Sequence, residues 1–309
     1  MTRSGSSNKA SQNQAQIQAA QGDLLFNVLL ADYTTWRVGG YARRLYKPQD
    51  INDLAVFLRQ LPSEEAIVWL GLGSNCLIRD GGFPGTVIVT QGCLKNVHLI
   101  ENDAVYVEAG VSCATMARFC ARNGLEGGEF WAGIPGTMGG ALRMNAGCAG
   151  SETWQHVVEV ETIDRQGVRR FRKPHDFEVA YRHVLCPADE WFVAGVFRLT
   201  KGDKEKSLQR IRELLEHRAA TQPTSEYNCG SVFRNPSGDY AARLIEGCGL
   251  KGKQIGGALV STKHANFIIN HEGSACAKDI EMLIEHVRGT VAQNKAVDLV
   301  QEVHIIGES

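Results

Sequence analysis

Gly71-Leu72-Gly73-Ser74-Asn75-Cys76-Leu77-Ile78 follows a short apolar run, Ala66-Ile67-Val68-Trp69-Leu70, that reads as a buried strand. After the strand, two glycines, a serine and an asparagine replace the apolar side chains. A turn of this kind brings bare backbone N–H groups against an anion, because glycine allows close approach and positive φ. A second glycine-rich run, Ala132-Gly133-Ile134-Pro135-Gly136-Thr137-Met138-Gly139-Gly140-Ala141, lies about sixty residues on and continues to Asn145-Ala146-Gly147. Neither run has the Gly-Lys-Ser/Thr of a Walker A loop, and Gly71 and Gly73 are followed by Cys76, which breaks the dinucleotide G-x-G-x-x-G spacing. Either loop alone reads as a tight turn between strands. Two of them, each after an apolar segment, point to a long phosphorylated ligand held at both ends.

A chain of 309 residues is long enough for two or three domains with real cores. A formal net charge of −1 leaves no nucleic-acid footprint and no polybasic membrane patch. No run approaches the roughly 18 consecutive apolar residues of a membrane span. Met1 to Gly22 is rich in Ser, Gln, Asn and Ala and lacks the apolar core of a signal peptide, so it reads as a disordered tail. Nine cysteines are scattered with no C-x-x-C, which argues against zinc and iron–sulfur sites and predicts no metal. Their odd number suits reduced thiols in the cytoplasm.

Periodicity supplies the elements. Asp50 caps a helix carrying Ile51, Leu54, Ala55 and Leu58; Thr86 to Thr90 is a strand; Val97 to Ile100 and Ala104 to Glu108 form a hairpin around Asn102-Asp103. Ser112 caps a helix with Cys113, Met116, Ala117 and Cys120 on one face. Val157 to Ile163, Val168 to Phe171 and Trp191 to Leu199 are strands of an antiparallel region. The polar stretch Lys201 to Lys206 marks a boundary. Beyond it lie a helix with Leu208, Ile211 and Leu215, one capped by Asp239 and one capped by Asp279, before a final strand from Leu299 to Ile306.

With these stretches placed, the chain resembles the UDP-N-acetylenolpyruvoylglucosamine reductases, flavin enzymes that complete UDP-N-acetylmuramate in bacterial peptidoglycan precursor synthesis. The resemblance lies in Thr34-Thr35-Trp36-Arg37-Val38-Gly39-Gly40, both glycine loops, Tyr181-Arg182 and Asn228-Cys229-Gly230-Ser231-Val232-Phe233-Arg234-Asn235-Pro236. It continues through Gly249-Leu250-Lys251-Gly252 to Asn270 and ends in Glu302-Val303-His304-Ile305-Ile306-Gly307. It implies an α+β protein with a two-subdomain FAD-binding fold of the vanillyl-alcohol-oxidase (PCMH) type, followed by an α+β substrate-binding domain. The implied division is a tail at 1–23, subdomain one at 24–90, subdomain two at 91–200 and the substrate domain at 201–297, with 298–309 returning near subdomain one. Only Lys201 to Lys206 separates the strand ending at Leu199 from the next helix, so the chain resembles the shorter form without a tyrosine-bearing insertion. One departure is Val184, where family members often carry Ser; the expectation is a missing hydrogen bond near the flavin.

The implied reaction is reduction of an enol ether: NADPH reduces FAD, and the reduced flavin gives a hydride to the outer enolpyruvyl carbon, leaving negative charge on the inner carbon and its carboxylate. Arg182 matches the family's active arginine, whose fork suits a carboxylate becoming an enolate. Ser231 matches the proton donor and Glu302 the active carboxyl. By residue type alone these three read as a surface strand arginine, a turn hydroxyl and an edge-strand charge. Gly71, Leu72, Gly73, Ser74 and Asn75 match the loop against the FAD pyrophosphate. Gly133, Ile134, Pro135, Gly136, Gly139, Gly140, Asn145 and Gly147 match the loop lining the flavin. Tyr181, Asn235, Lys251, Gln254, His264 and Asn266 are candidates for holding the UDP-sugar, with His264 equally readable as a packed core histidine. A monomer is expected, with a small-molecule substrate and neither nucleic acid nor membrane as partner. The competing readings are a flavin-dependent alcohol or hydroxy-acid oxidase of the same fold, and a nucleotide-sugar binding protein without turnover.

Overall fold

The computed structural model describes residues 20–101 and 103–309. Its first layer is a four-stranded sheet of β1 (Asp23–Leu29), β2 (Tyr41–Lys47), β3 (Ile67–Leu70) and, after the short β4 (Cys76–Ile78), β5 (Phe83–Val89). The order is β1-β2-β5-β3, with β1 antiparallel to β2 and the other pairs parallel. Helix α1 (Ile51–Gln60) covers one face. Asp50 caps it as the sequence indicates, accepting the backbone N–H of Asp53 at 2.8 Å. Its inner side chains Ile51, Leu54, Phe57 and Leu58 are buried, each contributing roughly 1.5–3 kcal/mol of apolar burial.

The second layer is a five-stranded antiparallel sheet. It contains β6 (Val97–Ile100), β7 (Ala104–Glu108), β8 (Val157–Asp164), β9 (Arg169–Arg172) and, beyond the small hairpin of β10 (Glu178–Ala180) and β11 (His183–Leu185), β12 (Glu190–Arg198). The order is β9-β8-β12-β7-β6. Helix α2 (Cys113–Arg122) begins at Ser112, whose hydroxyl accepts the Thr115 N–H at 3.1 Å. Its inner face is Cys113, Met116, Ala117 and Cys120, all buried, so these cysteines serve as small hydrophobes. Short α3 (Met138–Met144) follows inside the second glycine run. The β6–β7 hairpin forms as read, with Asp103 at φ 57°; Asn102 lies outside the described residues.

Helix α4 (Lys204–Thr221) corrects the expected boundary at Lys201. Its apolar face, Ile211 with Leu208 and Leu215, packs into the core formed by α2, Trp131 and the five-stranded sheet. Ser207 also donates to Glu129 at 2.5 Å. A polar stretch shows only that a loop is exposed, not which core the next helix joins. The change of core comes after α4. Strands β13 (Tyr227–Asn228), β14 (Gln254–Ile255), β15 (Ala258–Val260) and β16 (Ile268–Asn270) form a sheet in the order β13-β16-β15-β14. Helices α5 (Ala241–Glu246) and α6 (Ala277–Lys295) pack with it.

Trp36 is fully buried in this last core although it belongs to the N-terminal layer in sequence. Its indole N–H donates to the Ile268 carbonyl at 2.7 Å, and Asn270 Nδ2 donates to the Trp36 carbonyl at 2.9 Å. The final strand is shorter than read: β17 (His304–Ile306) pairs in parallel with β4, and residues 300–302 instead meet residues 232–234.

Two other expectations need correction. Asp239 does not cap α5 and Asp279 does not begin α6; the preceding positions are Tyr240 and Cys276, and Asp279 sits in the first turn accepting the N–H groups of Gly257 and Cys276. The tail ends earlier than Asp23. Gln21 N–H donates to Asp53 at 2.6 Å, Gly22 N–H to the Tyr46 hydroxyl at 3.1 Å, and Asp23 pairs with Lys47; residues 1–19 lie outside the described residues. Val184 is fully buried in the second core, with its carbonyl accepting from Arg143, so an apolar side chain suits the position.

Candidate active site

The two glycine runs meet. Ser74 Oγ donates to the Pro135 carbonyl, and a Cβ on Gly71 would lie 2.3 Å from Thr137 Oγ1. Gly73, at φ +67°, has the Tyr33 carbonyl 2.1 Å from where a Cβ would stand. The glycines are thus required first by chain against chain. At this seam Thr137 Oγ1 is buried and has no hydrogen-bond partner among the described residues. A buried hydroxyl left unpaired costs free energy unless something outside the protein pairs it. Asn145, at φ 42°, ends α3, and its amide is spent inside the protein. Nδ2 donates to Glu152 at 2.9 Å and to the Ala180 carbonyl at 3.2 Å, and Oδ1 accepts from Trp154 N–H at 3.1 Å.

Tyr181-Arg182 is the two-residue turn between β10 and β11, with Arg182 at φ 53°. The turn projects the guanidinium onto the second glycine run. Nη2 donates to the Gly147 carbonyl at 2.9 Å and Nη1 to the Asn145 carbonyl at 3.4 Å. Arg182 Nε lies 3.3 Å from Glu302 Oε1. Tyr181 is exposed, with the Arg182 guanidinium 4.9 Å from its ring centroid. Burial pushes the Glu302 carboxyl above the usual glutamate range, while Arg182 and Arg234 oppose that rise.

Glu302 is pinned from two sides. Its N–H donates to the Val232 carbonyl at 2.8 Å, and Asn75 Nδ2 donates to the Glu302 carbonyl at 3.2 Å. Ser231 therefore stands one residue from the Glu302 pairing. Its segment is held by Cys229, whose thiol donates to the Gly73 and Cys76 carbonyls, and by Asn228 Oδ1 accepting the Gly230 N–H at 3.0 Å. Gly230 takes φ +73°, turning the chain into the site. The Ser231 hydroxyl is half-buried and has no hydrogen-bond partner among the described residues, which leaves it free for a ligand.

The other sequence candidates divide. Asn266 is buried and spends its amide on Phe233, donating to its carbonyl at 2.8 Å and accepting its N–H at 3.0 Å. Asn235 accepts the Ala241 N–H at the start of α5, Lys251 pairs with Glu246 at 2.8 Å, and exposed Gln254 donates to the Gly256 carbonyl. His264 packs edge-on against Phe267, and burial, with Lys251 nearby, pushes it below the usual histidine range. The structure brings Gly71–Asn75, Gly133–Gly147, Arg182, Ser231 and Glu302 together; it shows no common contact of Lys251, Gln254 or His264 with them.

Thr137, Arg234 and His304 stand within the matching stretches without having been singled out, and Arg143 lies between the quoted parts of the second glycine run. His304 N–H donates to the Asn75 carbonyl at 3.1 Å, and its ring Nε2 lies 3.4 Å from Met144 Sδ, so it touches both glycine runs. It stands two residues after Glu302, and the alternation of a strand was the available signal.

Residues 42–171 match the FAD binding domain family, and residues 222–306 match the UDP-N-acetylenolpyruvoylglucosamine reductase C-terminal domain family. A UDP-N-acetylenolpyruvoylglucosamine reductase of Legionella pneumophila (strain Lens) is 66% identical, with 96% of each chain covered. The chain belongs to the UDP-N-acetylenolpyruvoylglucosamine reductase family. The reductase of Coxiella burnetii (strain Dugway 5J108-111) is 52% identical over 94% of this chain and 97% of that one. The crystal structure of the Thermus caldophilus reductase superposes with a TM-score of 0.77 at 32% identity, covering 93% of this chain and 99% of that one. This chain is accordingly a flavoprotein oxidoreductase. It uses FAD and NADPH to reduce UDP-N-acetylglucosamine enolpyruvate to UDP-N-acetylmuramate in peptidoglycan precursor synthesis.

Proposed function

We propose that Arg182, Ser231 and Glu302 perform the chemistry of this reductase and that the two glycine runs hold its FAD. The observation that carries the reading is the Arg182–Glu302 contact of 3.3 Å at the wall where those runs meet. The orphaned Thr137 hydroxyl at the seam fits a group with many acceptor oxygens, such as a pyrophosphate. The backbone of Gly71 to Asn75 would face the pyrophosphate, and Gly133 to Gly147 the flavin.

Bound FAD supplies the hydride, drawn from NADPH, that adds to the outer enolpyruvyl carbon. The protein must then manage charge and one proton. Arg182 holds the substrate carboxylate in its fork as negative charge spreads into it. Burial pushes the Glu302 carboxyl above the usual glutamate range, and in its neutral form it donates a hydrogen bond to the same oxygens. The Ser231 hydroxyl, polarised against the inner carbon, delivers the proton. Tyr181 closes over the guanidinium. Asn235, Lys251, Gln254 and His264 remain the candidates for the uridine diphosphate, and Asn266 holds the Ser231 segment. The test compares Arg182→Met, Ser231→Ala and Glu302→Gln: each is expected to slow reaction with the enolpyruvyl substrate while still binding FAD and consuming NADPH. A variant with full substrate turnover removes that residue from the mechanism.

The same reading divides the chain into FAD subdomains at 20–90 and 91–221 and a substrate domain from 222, with β17 returning to the first. The change of core after α4 and the start of the second family match at residue 222 support it. We further propose a monomer working in the cytoplasm, with neither nucleic acid nor membrane as partner. The near-zero net charge and nine cysteines without a paired spacing support this. No described helix is long and apolar enough to cross a membrane. Light scattering at 33.8 kDa is the expected result for the monomer.

A further inference from the structure

Gly147 closes the second glycine run and pairs with Glu152 in a small hairpin, Gly147–Cys148 against Ser151–Glu152. The Glu152 carboxylate reaches two groups of the site. Oε2 accepts from Asn145 Nδ2 at 2.9 Å, and Oε1 lies 3.9 Å from Arg182 Nη1. A Cβ on Gly147 would stand 3.0 Å from Glu152 Cγ and 3.2 Å from Arg182 Nη1. The stem of the carboxylate and the guanidinium thus both close on one bare backbone position.

Asn145 links them. It ends α3 at φ 42°, where the helix no longer fixes its carbonyl; its side-chain bonds to Glu152, the Ala180 carbonyl and the Trp154 N–H do so instead. Ala180 stands just before the Tyr181-Arg182 turn. The Asn145 and Gly147 carbonyls take two of the five N–H donors of Arg182, so their direction sets where the rest of the fork points. The Glu152 backbone does not depend on its own carboxylate. Its N–H donates to Gln155 Oε1 at 3.2 Å, and its strand pairs with Gly147.

We propose that Glu152 is a positioning residue of this reductase, holding Asn145 so that the Arg182 guanidinium meets the substrate carboxylate in register. The inference rests on the role given to Arg182 above. The route is the bond to Asn145 rather than the charge, because 3.9 Å is too long for a hydrogen bond to the guanidinium. Without that bond the Asn145 carbonyl is free to shift, and the guanidinium is drawn to Glu302, the nearer carboxylate at 3.3 Å.

The experiment is stopped-flow absorbance on the FAD-loaded full chain, reduced with NADPH and then reoxidised with the enolpyruvyl substrate without oxygen. Glu152→Ala is expected to leave the first half near its parent rate and to slow the second by about 10², the usual effect of a small misplacement of a catalytic group. Glu152→Gln keeps an oxygen that accepts from Asn145 and is expected to restore most of the second half. In an Arg182→Met background, Glu152→Ala is expected to slow nothing further, because the residue it acts through is gone. Glu152→Asp, with a shorter side chain, is a second variant should the alanine chain fail to hold FAD, and is expected to slow the same half. Equal slowing of both halves, or the same loss with and without Arg182, overturns the inference and leaves Glu152 a structural residue. A glutamine variant as slow as the alanine one overturns the route through Asn145. An Arg182→Met chain with full substrate turnover overturns the assignment of Arg182, and this inference with it.

Discussion

At the residue scale, the site depends on which hydroxyl is idle and which amide is not. Ser231 has no partner within the described protein, while Asn145 and Asn266 have spent theirs. Ser231→Ala is therefore expected to leave reduction by NADPH nearly unchanged and to slow reaction with the enolpyruvyl substrate by about 10²–10⁴. That corresponds to roughly 3–5 kcal/mol on the barrier, far more than a lost turn hydroxyl costs a distant reaction. Stopped-flow absorbance separates the two halves, and equal slowing of both points to a disturbed site rather than a missing acid. Asn266→Ala should behave differently. It leaves the Phe233 backbone groups unpaired at a buried position, so about 1–3 kcal/mol of stability is lost in denaturant titration along with activity. Ser231 and Arg182 were legible only through their motifs, because neither residue type is unusual where it stands. Asn266 was a candidate through its motif, and an amide facing substrate and one holding a backbone look alike in sequence.

At the scale of elements, the helices with clean apolar stripes were readable to within a residue or two. Asp50 and Ser112 sit where the caps were expected. Strands β1 and β2 were not read, and α4 was found but assigned to the wrong core, because an amphipathic face does not name its partner. Helix α6 shows another limit: its cap comes from 197 residues away. Asp80 accepts the N–H of Ala277 at 2.9 Å and of Lys278 at 3.0 Å. Arg79 adds an ion pair to Glu281 with both side chains partly exposed. Asp80→Ala is expected to cost about 1 kcal/mol, the usual worth of a helix cap. Glu281→Ala is expected to cost less, because an exposed pair is screened by water and salt. Thermal unfolding of the two variants checks the order; a larger loss in Glu281→Ala would make the ion pair the main tie.

For the whole molecule, the order of motifs along the chain made the fold class legible and implied that residues 298–309 return near the first subdomain, while the strand they meet and the place of Trp36 were not read. Trp36 in the last core and β17 beside β4 are pairings of high sequence separation, and hydrophobic period carries no information about them. The N-terminal boundary is testable at this scale. Removing residues 1–19 is expected to leave activity intact, since their composition has no apolar period. Removing residues 1–22 takes away the Gln21 and Gly22 bonds to Asp53 and Tyr46, and a lower melting temperature is expected. Equal melting temperatures in the two truncations would show that those bonds add nothing.

The tie between Asn75 and Glu302 spans 227 residues. A ribosome adding about 5–20 residues per second needs on the order of 10–45 s to travel that far. Throughout that interval the first glycine loop lacks the segment to which Asn75 is tied. Ribosome-bound chains arrested just short of Glu302 should therefore sediment without flavin fluorescence, whereas chains released at full length should acquire it. Flavin on the arrested chains would mean that the loop is preformed. Its absence would make cofactor capture a step that follows translation, in competition with whatever degrades unfinished protein.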